Sequence, residues 1–348
     1  MIKMDYGDAE HIKNLEATFM ALLDDVDKRQ NIWAKLRKKL YKLNDEFKEL
    51  LPTQLKNMMI LPFTELATIY DTYVALKLSE KNDLHLSLKE LFSYTKSKGG
   101  KFNALSDSII SFFKNNGFEI HTCHYCDMTY INYFQYKESD KKRTQFDLDH
   151  VLDKGRCPLV ALSLYNLVPA CPTCNGPHIK GKRVMNVTLE QRKKLSPSST
   201  LYDFENQVKI WIRPKTGKIR NTNFLKYMDD YDLDFDTSSD EDYENEIDFL
   251  YLRERYNYHK CEALRLADLK VKYTSSKIKE IVRIICNIGK EEQKELTPIA
   301  NIMTEQIRRD IFGLEFSNEH HRTFHKLRKD ILDFKDEETK NNGSYILL

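Results

Sequence analysis

Between residues 8 and 51 the chain repeats apolar residues at alternating steps of three and four: Ile12, Leu15, Phe19, Leu22, Val26, Arg29, Trp33, Leu36, Leu40, Leu43, Phe47 and Leu50. Eleven of these twelve positions are apolar, and the phase does not drift. The pattern predicts a coiled-coil-like seam, on one long helix or on a hairpin broken near Lys28–Asn31. Pro52 ends it. Leu66, Ile69, Tyr73 and Leu76 continue a helical period after Pro62. Residues 86–95 and 104–115 read as further helices. The Lys96–Lys101 stretch, with Gly99-Gly100, reads as a hinge. A seam buried within its own bundle and one offered to a second copy or a partner have the same sequence, so either use is open.

The pattern changes over residues 118–215. Glu119 to Tyr136 reads as strand, tight turn and strand, rich in Tyr, Ile and Phe. Lys137–Arg143 reads as a polar loop, Phe146–Val151 as a strand and Cys174–Arg183 as a helix. Gln207–Arg213 and the segment around Lys218–Arg220 read as a hairpin about Lys215–Gly217. Residues 231–236 alternate Tyr, Asp, Leu, Asp, Phe and Asp, a half-buried strand. Helix returns through Asp248–Tyr273, Ser276–Asn287, Glu291–Phe312 and His321–Phe334. The expected class is α+β, divided into a helical region at 1–98, a mixed domain at 99–220, and a segment at 221–348 that starts acidic and ends helical.

Composition narrows this little. The 348 residues carry a net charge of +2, with 41% hydrophobic and 31% charged residues, ordinary for a globular protein. Local charge says more. Lys137–Lys194 holds twelve Lys or Arg against six Asp or Glu, and Asp229–Asp248 holds eleven acidic residues and no basic one. That asymmetry fits a polyanion-facing surface and a separate acidic one. No apolar run approaches ~18 residues, so no membrane partner is expected. The first residues lack the apolar stretch of a secretory leader. Seven cysteines are an odd number and no secreted disulfide framework. The expected location is cytoplasmic.

Four of the cysteines form two Cys-x-x-Cys knuckles, Cys123/Cys126 and Cys171/Cys174, with 44 residues between them. Paired this way they read as a structural Zn²⁺ site, brought together by a fold built in the interval. That interval contains Asp147, Asp149-His150 and Asn166, and Asn175 follows the last cysteine. A neutral His near pH 7 can take a proton from water. An Asp carboxylate and an Asn carbonyl suit a hard divalent cation. These are the parts that phosphodiester hydrolysis requires. Asp149 and His150 are adjacent, so a regular strand would send them to opposite faces.

Residues 121–183 resemble the HNH endonuclease family. The matching stretches are Cys-His-Tyr-Cys, Phe-Asp-Leu-Asp-His-Val, and Tyr-Asn-Leu-Val-Pro-Ala-Cys-Pro-Thr-Cys-Asn. The resemblance implies a ββα-metal, treble-clef-like core of the zinc-stapled branch. By it, His150 is the general base, and Asp149 and Asn175 ligate a catalytic Mg²⁺ or Mn²⁺. Asn166 fixes the loop that orients His150, and Asp147 is a supporting carboxylate. Many members carry a Lys three residues after the final Asn. Here that position is His178, a candidate third ligand if a helix continues through it. Lys141, Lys142, Arg143, Lys180, Lys182 and Arg183 are candidate phosphate contacts. The expected substrate is DNA, and no residue separates it from RNA. The flanks resemble, more loosely, the helical extensions of HNH proteins paired with an ATPase in Septu-type anti-phage systems, which implies an ATPase partner and a defence role. A non-catalytic zinc-stapled binding module is the competing reading. The presence of base, carboxylate and both Asn argues against it.

Overall fold

The computed structural model describes residues 1–23, 26–93, 103–118, 121–135, 142–216, 223–238, 240–286, 298–313 and 322–333. It is a mixed α+β protein whose described strands form three two-stranded antiparallel sheets. The chain divides into two compact units, Met1–Glu205 with Asp240–Leu250, and Asn206–Ser239 with Tyr251–Leu348. No helix among the described residues is long and apolar enough to cross a membrane.

In the first unit, helix α1 (Ala9–Met20) starts where the Asp8 side chain accepts a hydrogen bond from the His11 N–H at 2.9 Å. Gly7 precedes it at φ +76°, and a Cβ there would meet the His11 ring at 2.8 Å. Helix α2 spans Val26–Leu43. The seam therefore breaks after Met20, earlier than Lys28–Asn31. Its phase survives the break because both helices bury the same side. Leu15, Phe19, Trp33, Leu36, Leu40 and Phe47 all lie in one core. Trp33 donates its indole N–H to the Pro52 carbonyl at 3.1 Å and meets the Phe92 ring edge-on at 5.8 Å. Burial of each such side chain stabilises the fold by roughly 1.5–3 kcal/mol. The seam is thus spent within the chain, and Leu43 is its exposed exception.

Helices Phe63–Ala75, Asp83–Leu91 and Asn103–Asn115 complete this core. It continues without a gap into Leu152, Leu159, Val160, Leu162, Leu164 and Leu167. The N-terminal helices and the central segment are one body for this reason, and the chain does not part at residue 98. Strands β1 (Tyr133–Gln135) and β2 (Lys142–Thr144) pair, so the expected loop over 137–143 ends in a strand. Strands β3 (Asp147–His150) and β4 (Leu167–Ala170) pair with Asp149 opposite Val168 and His150 opposite Leu167. The helix expected over Cys174–Arg183 is a single turn, Pro172–Asn175. Gly176 and Pro177 end it, and Gly181, at φ +49°, keeps the chain beyond from resuming it.

In the second unit, β5 (Lys209–Pro214) pairs with β6 (Tyr231–Asp236) rather than with Lys218–Arg220, and residues 217–222 lie outside the described residues. Strand β6 alternates as expected: Tyr231, Leu233 and Phe235 are buried, and Asp232, Asp234 and Asp236 are half-buried. Those carboxylates are not a free acidic surface. Asp234 pairs with Arg213 at 3.3 Å and Arg253 at 3.2 Å, and Asp232 with Lys215 and Lys260 at 3.5 Å each. The helix expected over Asp248–Tyr273 is three shorter ones. Tyr251, at φ +53°, breaks it first, at the junction of the two units.

Candidate functional site

The knuckles converge. The four sulfurs of Cys123, Cys126, Cys171 and Cys174 lie within 4.8 Å of one another, and all four residues are fully buried. Cys123 accepts a hydrogen bond from the Cys171 N–H at 3.2 Å, and Cys171 accepts one from the Cys174 N–H at 3.4 Å. Burial pushes the Cys123 thiol up, while hydrogen bonds from neighbouring thiols hold Cys126 and Cys171 down. A tetrahedral zinc with Zn–S bonds of about 2.3 Å needs sulfurs about 3.8 Å apart. The cluster fits that ion. His124 is turned away from it, with Nδ1 3.0 Å from the Ile2 carbonyl oxygen.

Strand β3 leaves this staple carrying Asp147, Asp149 and His150. His150 is buried, with Nε2 2.9 Å from the Ala161 carbonyl oxygen. A carbonyl only accepts, so Nε2 carries the hydrogen and the neutral ring has its lone pair on Nδ1. Burial lowers the ring's pKa to about 3, with help from the charges of Lys154 and Lys180 and against the pull of the Ala161 carbonyl. The ring is therefore neutral at pH 7. Lys154, half-buried beside this site, was not among the expected residues. A lone lysine in a loop gives no signal of its place.

Asn166 is fully buried at the turn into β4. Its Oδ1 accepts from the Leu152 N–H at 2.8 Å, and its Nδ2 donates to the carbonyls of Leu152 at 3.1 Å and Val160 at 2.9 Å. Its own carbonyl accepts from the Val151 N–H at 3.1 Å. One side chain thus ties both ends of the loop from His150 to Ala161. Asn166→Ala leaves three buried backbone groups unpaired and is expected to cost about 2 kcal/mol or more. Asn175→Ala loses a single exposed side-chain bond and should cost less. Equal urea midpoints for the two variants would contradict this clamp.

Asp149 faces the other way. Its carboxylate accepts from the Tyr125 hydroxyl at 2.6 Å and pairs with Lys180 through both oxygens, at 3.0 and 2.8 Å. Lys180 also donates to the His150 carbonyl at 2.8 Å. Burial pushes the Asp149 carboxyl up, opposed by Lys180. Lys180 is thus a buried partner of Asp149 rather than an open phosphate contact. Asn175 donates through Nδ2 to Asp147 at 3.1 Å. Both border a groove of about 340 Å³, lined also by Ile109, Ile110, Thr144, Phe146, Leu148 and Leu167.

The helix that would have carried His178 one turn beyond Asn175 has ended, and His178 lies exposed. Arg183 is committed to the carbonyls of Ile179 and Phe249, each at 2.6 Å, and sits over the Phe249 ring. Lys182 is exposed. Lys141 and the side chains of Lys142 and Arg143 lie outside the described residues. Among the described residues, the four cysteines are the one group of three or more His, Cys, Asp or Glu placed to hold a metal ion. A hard divalent cation at Asp149 would have to displace the Lys180 ammonium.

Compared with family models, with curated proteins and with solved structures, the chain matches none.

Proposed function

We propose that this protein is an HNH-type endonuclease that hydrolyses DNA phosphodiester bonds, with His150 as the general base. The observation that carries the reading is the state of His150. It is neutral, its Nε2–H is anchored on Ala161, and the loop it anchors to is clamped by Asn166. A ring held in one tautomer presents Nδ1 as the proton acceptor for an attacking water. The water's oxygen bonds to phosphorus, its proton passes to Nδ1, and the bond from phosphorus to the leaving 3′ oxygen breaks, that oxygen taking a proton from bulk water. This leaves a 5′-phosphate and a 3′-hydroxyl.

The oxygens of Asp147 and Asn175, which border one groove, are hard donors of the kind Mg²⁺ and Mn²⁺ prefer, and Asp149 would join them only by giving up Lys180. Such an ion would neutralise charge developing on the phosphate. The zinc staple fixes the strand that carries His150 and takes no part in the chemistry.

The test is nicking of supercoiled plasmid by zinc-loaded protein, with and without added Mn²⁺ or Mg²⁺. Nicked and linear products that need the added ion are expected. Intact plasmid under every divalent ion tried, from protein carrying one zinc per chain, would overturn the reading.

A further inference from the structure

We propose that the outward face of α2 is a docking surface for the phosphate backbone of duplex DNA, remote in sequence from the candidate site. The proposal rests on the reading of DNA as the substrate and adds the place where the rest of the duplex is held.

Helix α2 carries seven Lys or Arg against one acidic residue, Asp27. Its excess of six exceeds the whole chain's +2, so the remainder of the protein is net acidic. Lys28, Lys35, Lys38, Lys39 and Lys42 are all exposed. At 3.6 residues per turn these five fall within about 100° of arc, opposite Trp33, Leu36 and Leu40. The buried stripe holds the helix to the core, and the lysine stripe is what it presents.

None of the five forms an ion pair or a side-chain hydrogen bond with any described residue. The nearest acidic residue past the helix end, Asp45, is paired with Lys48 at 2.7 Å. Lys35 and Lys39, and Lys38 and Lys42, stand four apart, the spacing at which like charges repel along a helix. That repulsion destabilises the bare face. A polyanion lying along the face relieves it. From Lys28 to Lys42 the stripe is about 21 Å long. A duplex along it presents about twelve phosphates over that length.

The expected contacts near the candidate site make this face more necessary. Lys180 is buried against Asp149, and Arg183 is spent on two carbonyls.

The test is binding of a fluorescent duplex of arbitrary sequence, about 25 base pairs long, to the full zinc-loaded chain without added Mg²⁺ or Mn²⁺. It is read as a titration between roughly 50 and 200 mM salt. Changing Lys35, Lys38, Lys39 and Lys42 together to Gln should lower affinity at least tenfold and flatten the slope of log K against log salt by about 3.6. Lys39→Gln alone should flatten it by about 1, which keeps the test readable if the fourfold variant does not fold. A control with Lys13, Lys77, Lys81 and Lys114 changed to Gln should move neither quantity by more than a third of that.

Unchanged affinity and slope in the α2 variants would overturn the proposal. So would an equal loss in the control, which would make the effect one of net charge. Tighter binding of single-stranded RNA than of duplex DNA would overturn the commitment to a duplex. Binding is read without cleavage, so failure here leaves the plasmid result, and with it the endonuclease reading, to stand or fall separately.

Discussion

Cys171→Ser protein is expected to carry no zinc and to melt at least 10 °C below the wild type. The four sulfurs come from two segments 44 residues apart and meet in a fully buried space. Structural zinc in small domains contributes about 10–16 kcal/mol of apparent binding free energy, much of it realised as folding. This unit has a large apolar core of its own. Only part of the zinc energy is then needed to keep it folded, and the loss appears as lowered stability. In a body of this size each kcal/mol moves the melting temperature by about 2–4 °C. Cys171 also caps the Pro172–Asn175 turn through its sulfur, so serine removes a ligand while keeping a weaker cap. The measurement pairs zinc content by mass spectrometry with thermal melting. Wild-type protein that holds no zinc, or a variant that melts with it, would show that the cluster is merely a buried thiol pocket.

His150→Ala should lower plasmid nicking by about 10²–10⁴-fold, the usual contribution of a general base. His150→Gln is the sharper variant. Its amide can still donate to the Ala161 carbonyl, so the loop keeps its anchor while the proton acceptor is gone. Retained nicking in the Gln variant would mean that the ring only positions the loop. A second signature follows from the same ring. Its pKa is about 3 in the folded protein and about 6.5 in an unfolded chain. Between those values the unfolded chain binds a proton that the folded ring refuses, so stability rises with pH. The ring's contribution is whole above pH 6.5 and is lost as pH falls toward 3. Urea midpoints at pH 7 and pH 5 should therefore separate more in the wild type than in His150→Gln.

What the sequence made legible is local. The Cys-x-x-Cys spacing marks four residues that the fold brings within 4.8 Å. The alternation over 231–236 marks a half-buried strand, and the fold has one. The seam over 8–51 marks the buried side of the N-terminal helices, though not the place where α1 and α2 part. What stayed hidden depends on partners distant in sequence. Lys180 reads as a surface cation because nothing nearby shows that Asp149, 31 residues away, draws it inward. Tyr125 sits inside the first knuckle, where tyrosine has no special meaning, yet its hydroxyl holds the same carboxylate. The acidic run reads as a surface because Arg213, Arg253 and Lys260 lie outside it. Two corrections were within reach. Gly176-Pro177 marks the end of a helix more strongly than the apolar spacing beyond it marks a continuation. The run from Asp248 to Tyr273 was too long for an uncapped helix of ordinary length.

The continuity of the first core also bears on how portable the central segment is. Leu152, Leu159 and Leu164 flank the loop that anchors His150, and they pack into the same cluster as Trp33 and Tyr73. The Leu164 N–H donates to the Met59 carbonyl at 2.8 Å, and the Tyr165 hydroxyl donates to Glu16 at 2.7 Å. A transplant of residues 99–220 into another protein would carry every residue named by the family resemblance and leave behind the wall they lean on. The loop would keep its Asn166 knots but lose its floor. The smallest transferable piece therefore begins at the N-terminal helices and includes Asp240–Leu250, so the motif marks the loop and the core marks how much chain must travel with it.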